Sequence, residues 1–553
     1  MSPVMVSAGF SKFFVVSSPE QVQKVFRSCK QLSNKHMVVV ALQNLFGATK
    51  EIGALFDDVK IHDVELDAST EHPTGTTTTT TATVSTGADN AGAQSAESSA
   101  APRRQDNVKR LKEHVVGFRG CAQDFLSGTY LDALSKRYLA NLAQANTLPN
   151  FQSCGGGGGG GAARENEEWT RYPDLYTFLQ SLVSPATIEA LMGSKIFEIN
   201  PRIVDDFWEF ERASPQFIRG LPRWLMPSKY RARDRIFDTM KKLDDLATQG
   251  GVGRLLPDDP DWEPYLGSKF LRARHDFTHF VRPYSANIKA WEKMGILFGS
   301  NANLVPTMFW YIFEALKDSQ LRDRLLAELV SCVTPSSYDQ TGSHRGDICY
   351  DKVLQKPLLQ SAYAETLRMR VAIALPRTCE TGDFDISGYR IEQNKHIMIF
   401  TWPVMRDDDA WSRAGKPPTV SFDEFWAERF LVPKQPKHPS PSIAFPSRPT
   451  TSHDEETRYE AKSSSPDYEF SVHGLAGRWM PYGGGQHLCP GRHYAKIQIL
   501  GTFAFLFHNY EIELLDSSKS RGTKMDMKWF PTGALPPDRK VPFKMRKRQD
   551  NNV

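Results

Sequence analysis

The chain has 553 residues, of which 40% are hydrophobic, and a formal net charge of +4. That length accommodates a large core, and the near balance of charge, with no basic block except Lys544–Arg548, argues against nucleic-acid partners. The seven cysteines are scattered and form no Cys-x-x-Cys pair. This excludes a disulfide framework or zinc ribbon and fits a reducing compartment.

No window approaches the roughly 18 apolar residues of a membrane span, and the first residues read as neither signal peptide nor anchor. Asp67–Arg104 is polar and low in complexity, too poor in apolar surface to offset its ordering entropy. The glycine run in 153–168 reads as a flexible linker. Apolar residues then recur at helical spacing through Trp169–Gly193, Ile288–Asp318, Ser319–Ser331 and Lys356–Ile373. After Leu375-Pro376 the period shortens, and Asp383–Phe400 predicts short strands with Asn394-Lys395 in a turn. A third polar insertion covers about 433–470. The fold class expected is mostly α with a small β portion (α+β), one domain over 1–553 with three surface insertions.

The segment Trp479–Ala495, WMPYGGGQHLCPGRHYA, raises a question of chemistry. A lone cysteine beside glycines and a Pro-Gly turn is compatible with a buried thiol next to a turn. The spacing points elsewhere. Tyr482 stands seven residues before Cys489, Gly485 four before, His487 two before, and Gly491 two after; a long apolar helix follows. Glycines permit positive φ and close backbone approach. Backbone N–H groups and the positive end of the helix would face the sulfur and tune a metal-bound thiolate.

This spacing resembles the haem-ligand loop of the cytochrome P450 family, Phe-x-x-Gly-x-Arg-x-Cys-x-Gly, with Tyr for Phe and His for Arg. The resemblance makes Cys489 the metal ligand and Tyr482, Gly485, His487 and Gly491 its cofactor-binding neighbours, His487 meeting a propionate. The family's Glu-x-x-Arg is matched by Glu365 and Arg368, which share one helix face. Its third member, from a Pro-Glu-Arg-Phe-like loop, is matched by Arg429, with Ala427 where proline is usual. The resemblance implies that this triad locks the loop presenting Cys489. Arg377, in Leu-Pro-Arg-Thr, resembles the family's propionate-binding arginine, whose cation would balance a buried carboxylate. No Trp-x-x-x-Arg is found in His114–Leu142.

The long central helix departs from the family pattern. Where an acid and an alcohol manage protons for bound dioxygen, this chain has Ala302 and Asn303, with Pro306 three residues on. Proline frees the carbonyl four residues back, here that of Ala302. Ala302, Asn303 and Pro306 are therefore the candidate catalytic notch; a plain kinked core helix is the other reading. Asn303-x-x-Pro306-Thr307-x-Phe309-Trp310 is similar to the sterol and bile-acid 7α/12α-hydroxylases, to prostacyclin synthase and to fungal relatives. That subgroup contains both monooxygenases and an isomerase.

The resemblance extends from about Phe13 to the end. Phe13–Arg27 matches a strand and helix of the N-terminal sheet, and Phe530–Pro537 the loop lining the substrate pocket. Gly220–Arg235 matches the loop between two pocket-covering helices; Trp224, Leu225 and Met226 would suit either a membrane interface or a packed turn. The family's anchor helix and first strand are not found, so the chain reads as a P450 fold lacking its N-terminal part. The resemblance implies haem b with an axial thiolate, NADPH supplied through a separate reductase, O2, and a lipophilic sterol-, lipid- or terpenoid-like substrate. It implies the cytosolic face of the endoplasmic reticulum for the family, and a cytosolic or peripheral location for this chain. The alternatives are an isomerase or dehydratase acting on a peroxide without a reductase, and an inactive haem-binding homologue.

Overall fold

The structure is a computed structural model that describes residues 3–8, 11–56, 117–145, 169–334, 346–415, 419–434 and 468–548. The insertions expected at 67–104 and 153–168, and most of that at 433–470, lie outside the described residues. The ends of the third insertion differ from expectation. Leu431–Pro433 pairs antiparallel with Tyr468–Phe470, so its two stems form a small ladder instead of loose chain.

Helices dominate, and the centre of the core is the helix Leu304–Lys317. Every residue from Leu304 to Leu316 is buried, as expected for a helix apolar on all faces. Around it pack Leu175–Met192, Pro357–Arg370 and Arg492–Asn509. The Leu175–Met192 helix starts where Asp174 accepts from the N–H groups of Tyr176 and Thr177, satisfying two of the donors a helix start leaves open. The apolar pattern beginning at Trp169 runs through a strand as well. Thr170–Tyr172 pairs with Phe543–Met545, more than 370 residues away, before the helix begins.

The main sheet runs in the order Val4–Ala8, Ser11–Val15, His396–Phe400, Val371–Cys379, Thr532–Ala534. Its pairings are antiparallel except for the parallel contact of Ser11–Val15 with His396–Phe400. Ser18 caps the helix Pro19–Arg27, with proline in the first turn. Val371–Cys379 begins five residues before the expected change at Pro376, directly after the helix Pro357–Arg370. Asn394 sits at φ 63°, in the turn expected there.

The stretch Ile288–Asp318 is a kinked helical run: Ala286–Asn301 and Leu304–Lys317 flank Ala302 and Asn303, which keep right-handed helical dihedrals while the hydrogen-bond ladder lapses beside them. Pro306 has no N–H for the Ala302 carbonyl, and the ladder resumes where the Thr307 N–H reaches the Asn303 carbonyl at 3.3 Å. Among the described residues, no helix is long and apolar enough to cross a membrane.

Candidate active site

The loop 479–491 is held from two sides. Gly483 and Gly485 lie at φ 76° and 63°, which side-chain-bearing residues rarely adopt. A Cβ on Gly485 would stand 2.4 Å from the Phe26 carbonyl oxygen, and one on Gly484 2.3 Å from the Phe26 ring. The glycines therefore serve a close approach to the helix Pro19–Arg27, a constraint that spacing alone does not reveal. From the other side, Trp479 Nε1 donates to the Ala364 carbonyl at 3.2 Å. The Tyr482 and Tyr363 hydroxyls share a short hydrogen bond. Burial pushes both phenols up, Tyr363 well above its usual value.

Cys489 closes the loop with its N–H on the Tyr482 carbonyl at 3.0 Å. Its sulfur stands before the helix Arg492–Asn509, and the backbone N–H groups of Gly491 and Arg492 face it. Burial pushes the thiol up, while those two N–H groups and the Arg492 guanidinium pull the other way. A Cβ on Gly491 would lie 4.0 Å from the sulfur, an ordinary contact, so the space beside the sulfur does not by itself demand glycine there.

The triad comes together. Glu365 Oε2 accepts from Arg368 Nε at 2.7 Å, and Oε1 accepts from Arg429 Nε at 3.0 Å and from the Trp426 N–H at 3.1 Å. All three side chains are buried. The arginines also donate to the carbonyls of Phe422, Val420, Ser421 and Glu424. The triad therefore fixes the 420–429 segment directly. Its hold on the cysteine loop is indirect, through Tyr363 and Ala364 on the same helix as Glu365.

A cavity of about 440 Å³ opens above Cys489. Tyr482, His487 and Gly491 border it on the cysteine side. Its walls are mostly apolar, with Phe270, Ile296, Leu304, Leu367 and Val371 among them, and the described lining contains no Lys, Arg, Asp or Glu. Gly485 and Arg377 do not border it. Arg377 lies buried beside it in the strand that carries Ile373 and Leu375, donates to the Pro376 carbonyl, and has no carboxylate partner among the described residues. Burial alone pulls its guanidinium down to about 10. A buried cation without a counter-ion is costly, so this position suits an anionic group of a ligand. Among the described residues, no basic residue of the helices Gly117–Phe125 and Gly128–Ala145 borders the cavity.

The kinked helical run supplies the opposite wall, with a correction. Asn303 borders the cavity, whereas Ala302 and Pro306 are buried behind it. The Asn303 Oδ1 already accepts the Ala534 N–H at 2.9 Å, and a Cβ on Gly533 would lie 2.0 Å from that oxygen. Asn303 is thus tied to the C-terminal loop, and Ala534 is the residue of Phe530–Pro537 that borders the cavity. Sequence spacing missed Thr307 and Ser300. Both line the cavity; Thr307 Oγ1 donates to the Asn303 carbonyl at 2.7 Å, and Ser300 Oγ to that of Leu297 at 3.1 Å. The signal for Thr307 was its place one turn beyond Asn303.

At Gly220–Arg235 the chain forms the short turn Arg223–Leu225 and then the helix Pro227–Gln249. Trp224 is 76% exposed and Leu225 53%, so neither is packed inside the turn.

An apolar chamber over a cysteine sulfur at a helix start, braced by a buried Glu–Arg–Arg cluster, is the architecture of a haem-thiolate oxidoreductase. The cytochrome P450 family model matches residues 279–447. The cytochrome P450 monooxygenase fsoE of Humicola fuscoatra is 33% identical over 77% of this chain and 69% of its own length. The cytochrome P450 monooxygenase efuG of Hormonema carpetanum is 31% identical over 77% of this chain and 71% of its own. Cytochrome P450 7A1 of Rattus norvegicus is 23% identical, covering 77% and 76%. A solved cytochrome P450, CYP102L1, superposes with a TM-score of 0.57 at 14% identity, covering 99% of this chain and 91% of that one. The chain belongs to the cytochrome P450 family, as an oxidoreductase of monooxygenase type. That family membership implies a haem held by a cysteine thiolate.

Proposed function

We propose that this chain is a haem-thiolate monooxygenase that places one oxygen atom of O2 into a neutral, lipophilic substrate of sterol, lipid or terpenoid type. NADPH, through a separate reductase, supplies the electrons. The carrying observation is the Cys489 sulfur at a helix start under an apolar, charge-free cavity. Relatives named 7A1, and one named cholesterol 7-alpha-monooxygenase, support a sterol-like substrate.

Cys489 would hold the haem iron through its sulfur, and the Gly491 and Arg492 N–H groups would temper that sulfur's charge. Arg377 and His487 would meet the haem's carboxylates, Tyr482 and Gly491 would complete the seat, and Gly485 sets the loop's path. When bound, haem supplies dioxygen activation, which the thiolate's electron donation favours. The apolar walls position the substrate and exclude water. Thr307, which lines the cavity as Ser300 does, hands on protons at its hydroxyl, since a hydroxyl both donates and accepts. Asn303 holds the C-terminal loop closed. The family position usually filled by the acid is taken by buried Ala302, which favours a second reading, isomerisation of a peroxide without electrons.

The carbon monoxide difference spectrum of the reduced, haem-loaded chain tests the first step. A strongly red-shifted Soret band is expected, and Cys489→Ala should remove it. A band at the position typical of imidazole or neutral-thiol ligation overturns the assignment. Product formed from a hydroperoxide without NADPH, and none with NADPH and O2, would establish the isomerase reading instead.

A further inference from the structure

Away from the cavity, Asp244, His275 and His279 bring their ligand atoms within 4.8 Å of one another. Asp244 stands on the helix Pro227–Gln249. The histidines stand on Lys269–Asp276 and the π-turn Phe277–Val281 that continues it. Their four-residue spacing puts both imidazoles on one face, with ring centroids 3.8 Å apart. None of the three borders the haem cavity.

The geometry sets the tautomer of His279. Its Nδ1 lies 3.0 Å from the His275 carbonyl oxygen, which can only accept, so Nδ1 carries the proton. In the neutral ring Nε2 then presents a lone pair. A histidine whose other nitrogen is fixed on a backbone carbonyl is oriented as metal ligands commonly are. That Nε2 lies 3.0 Å from Asp244 Oδ2, a contact that needs either a second ring proton or a cation beside the two atoms. Lys289 provides one: its Nζ is 2.5 Å from Nε2 and 3.0 Å from Oδ2. Lys293 Nζ sits on Oδ1 at 2.6 Å. The ammonium leaves the cluster incomplete. His275 is 1% exposed, neither ring nitrogen makes a hydrogen bond, and Nδ1 stands 3.4 Å from Asp244 Oδ1.

We propose that Asp244, His275 and His279 form a site for a divalent transition cation of the zinc class, with the Lys289 ammonium as its competitor. One carboxylate and two imidazoles suit zinc, with water as a further ligand. The cation engages His275, which the lysine does not reach. Lys289 retains 13% side-chain exposure near the start of its helix and moves out to solvent, while Lys293 stays on Oδ1. The retained positive charge weakens the site, so removing the Lys289 charge strengthens it.

Zinc chloride is titrated calorimetrically into the haem-loaded, full-length chain, with folding checked by circular dichroism. One equivalent binds, Lys289→Met binds at least about tenfold tighter, and His279→Gln in that background loses at least about tenfold. No saturable one-to-one binding in either the unsubstituted chain or Lys289→Met overturns the proposal. Equal affinities of Lys289→Met with and without His279→Gln also overturn it, because zinc then sits elsewhere.

Discussion

Asn303→Ala separates a clamp from a proton carrier. The substitution removes the oxygen that accepts the Ala534 N–H at 2.9 Å. Ala534 is buried, and a buried donor left unpaired costs about 1–3 kcal/mol. Without substrate the adjoining cavity has room for water, which brings the change toward the lower end, about 1 kcal/mol. The loop stays attached, because the Leu535 N–H reaches the Arg370 carbonyl at 3.1 Å and Trp310 Nε1 the Leu535 carbonyl at 2.7 Å. The expected outcome is a small loss of stability in denaturant, weaker substrate binding by Soret titration, and unchanged product per NADPH. Asn303→Asp keeps an acceptor oxygen and should keep the clamp. Thr307→Ala should instead lower product per NADPH. If Asn303→Ala keeps its stability and substrate affinity but wastes NADPH, the clamp reading is refuted and Asn303 belongs to proton delivery.

Three other outcomes follow from the geometry. Arg429→Ala strips one of two guanidinium partners from fully buried Glu365 and should cost about 3–5 kcal/mol, read as loss of haem-loaded protein; a soluble, fully loaded variant would contradict this. Tyr363→Phe orphans the Tyr482 hydroxyl and should cost about 1–3 kcal/mol, whereas Tyr363→Phe with Tyr482→Phe should recover most of it; additive losses in a double-mutant cycle would show the pair is not coupled. Burial raises Glu211 from 4.5 to about 8. The folded state therefore holds a proton that the unfolded state releases. That contribution is complete below pH 4.5 and falls by about 1.4 kcal/mol per unit as pH rises toward 8. Glu211→Gln should flatten this slope between those limits, and an unchanged slope would place the titration elsewhere.

What could be read in the sequence was what sits close together in it. The Tyr482-to-Gly491 spacing and the Glu365–Arg368 pair are local, and the loop and triad stand as those spacings anticipated. Arg429 joined them because its own loop motif is local too. The features that escaped depend on distant partners. Thr170–Tyr172 is a strand only because Phe543–Met545 lies beside it, and the Gly484–Gly485 requirement comes from Phe26. The bond of Asn303 to Ala534 escaped because nothing near Asn303 in sequence announces that partner. Pro306 interrupts the hydrogen-bond ladder as its missing N–H requires, and the kinked run places Asn303 and Thr307 on the wall and Ala302 behind it.

The short ladder of Leu431–Pro433 with Tyr468–Phe470 has a practical corollary. It brings the two stems of the third insertion side by side, with Arg429 two residues before one and Trp479 nine residues after the other. Chain length between the stems is therefore uncoupled from the position of the cysteine loop. Closing such a loop changes by only about 0.6 kcal/mol per halving of its length. A chain shortened between the paired stems, or carrying a reporter there, should keep the ladder and with it the seating of the Cys489 loop.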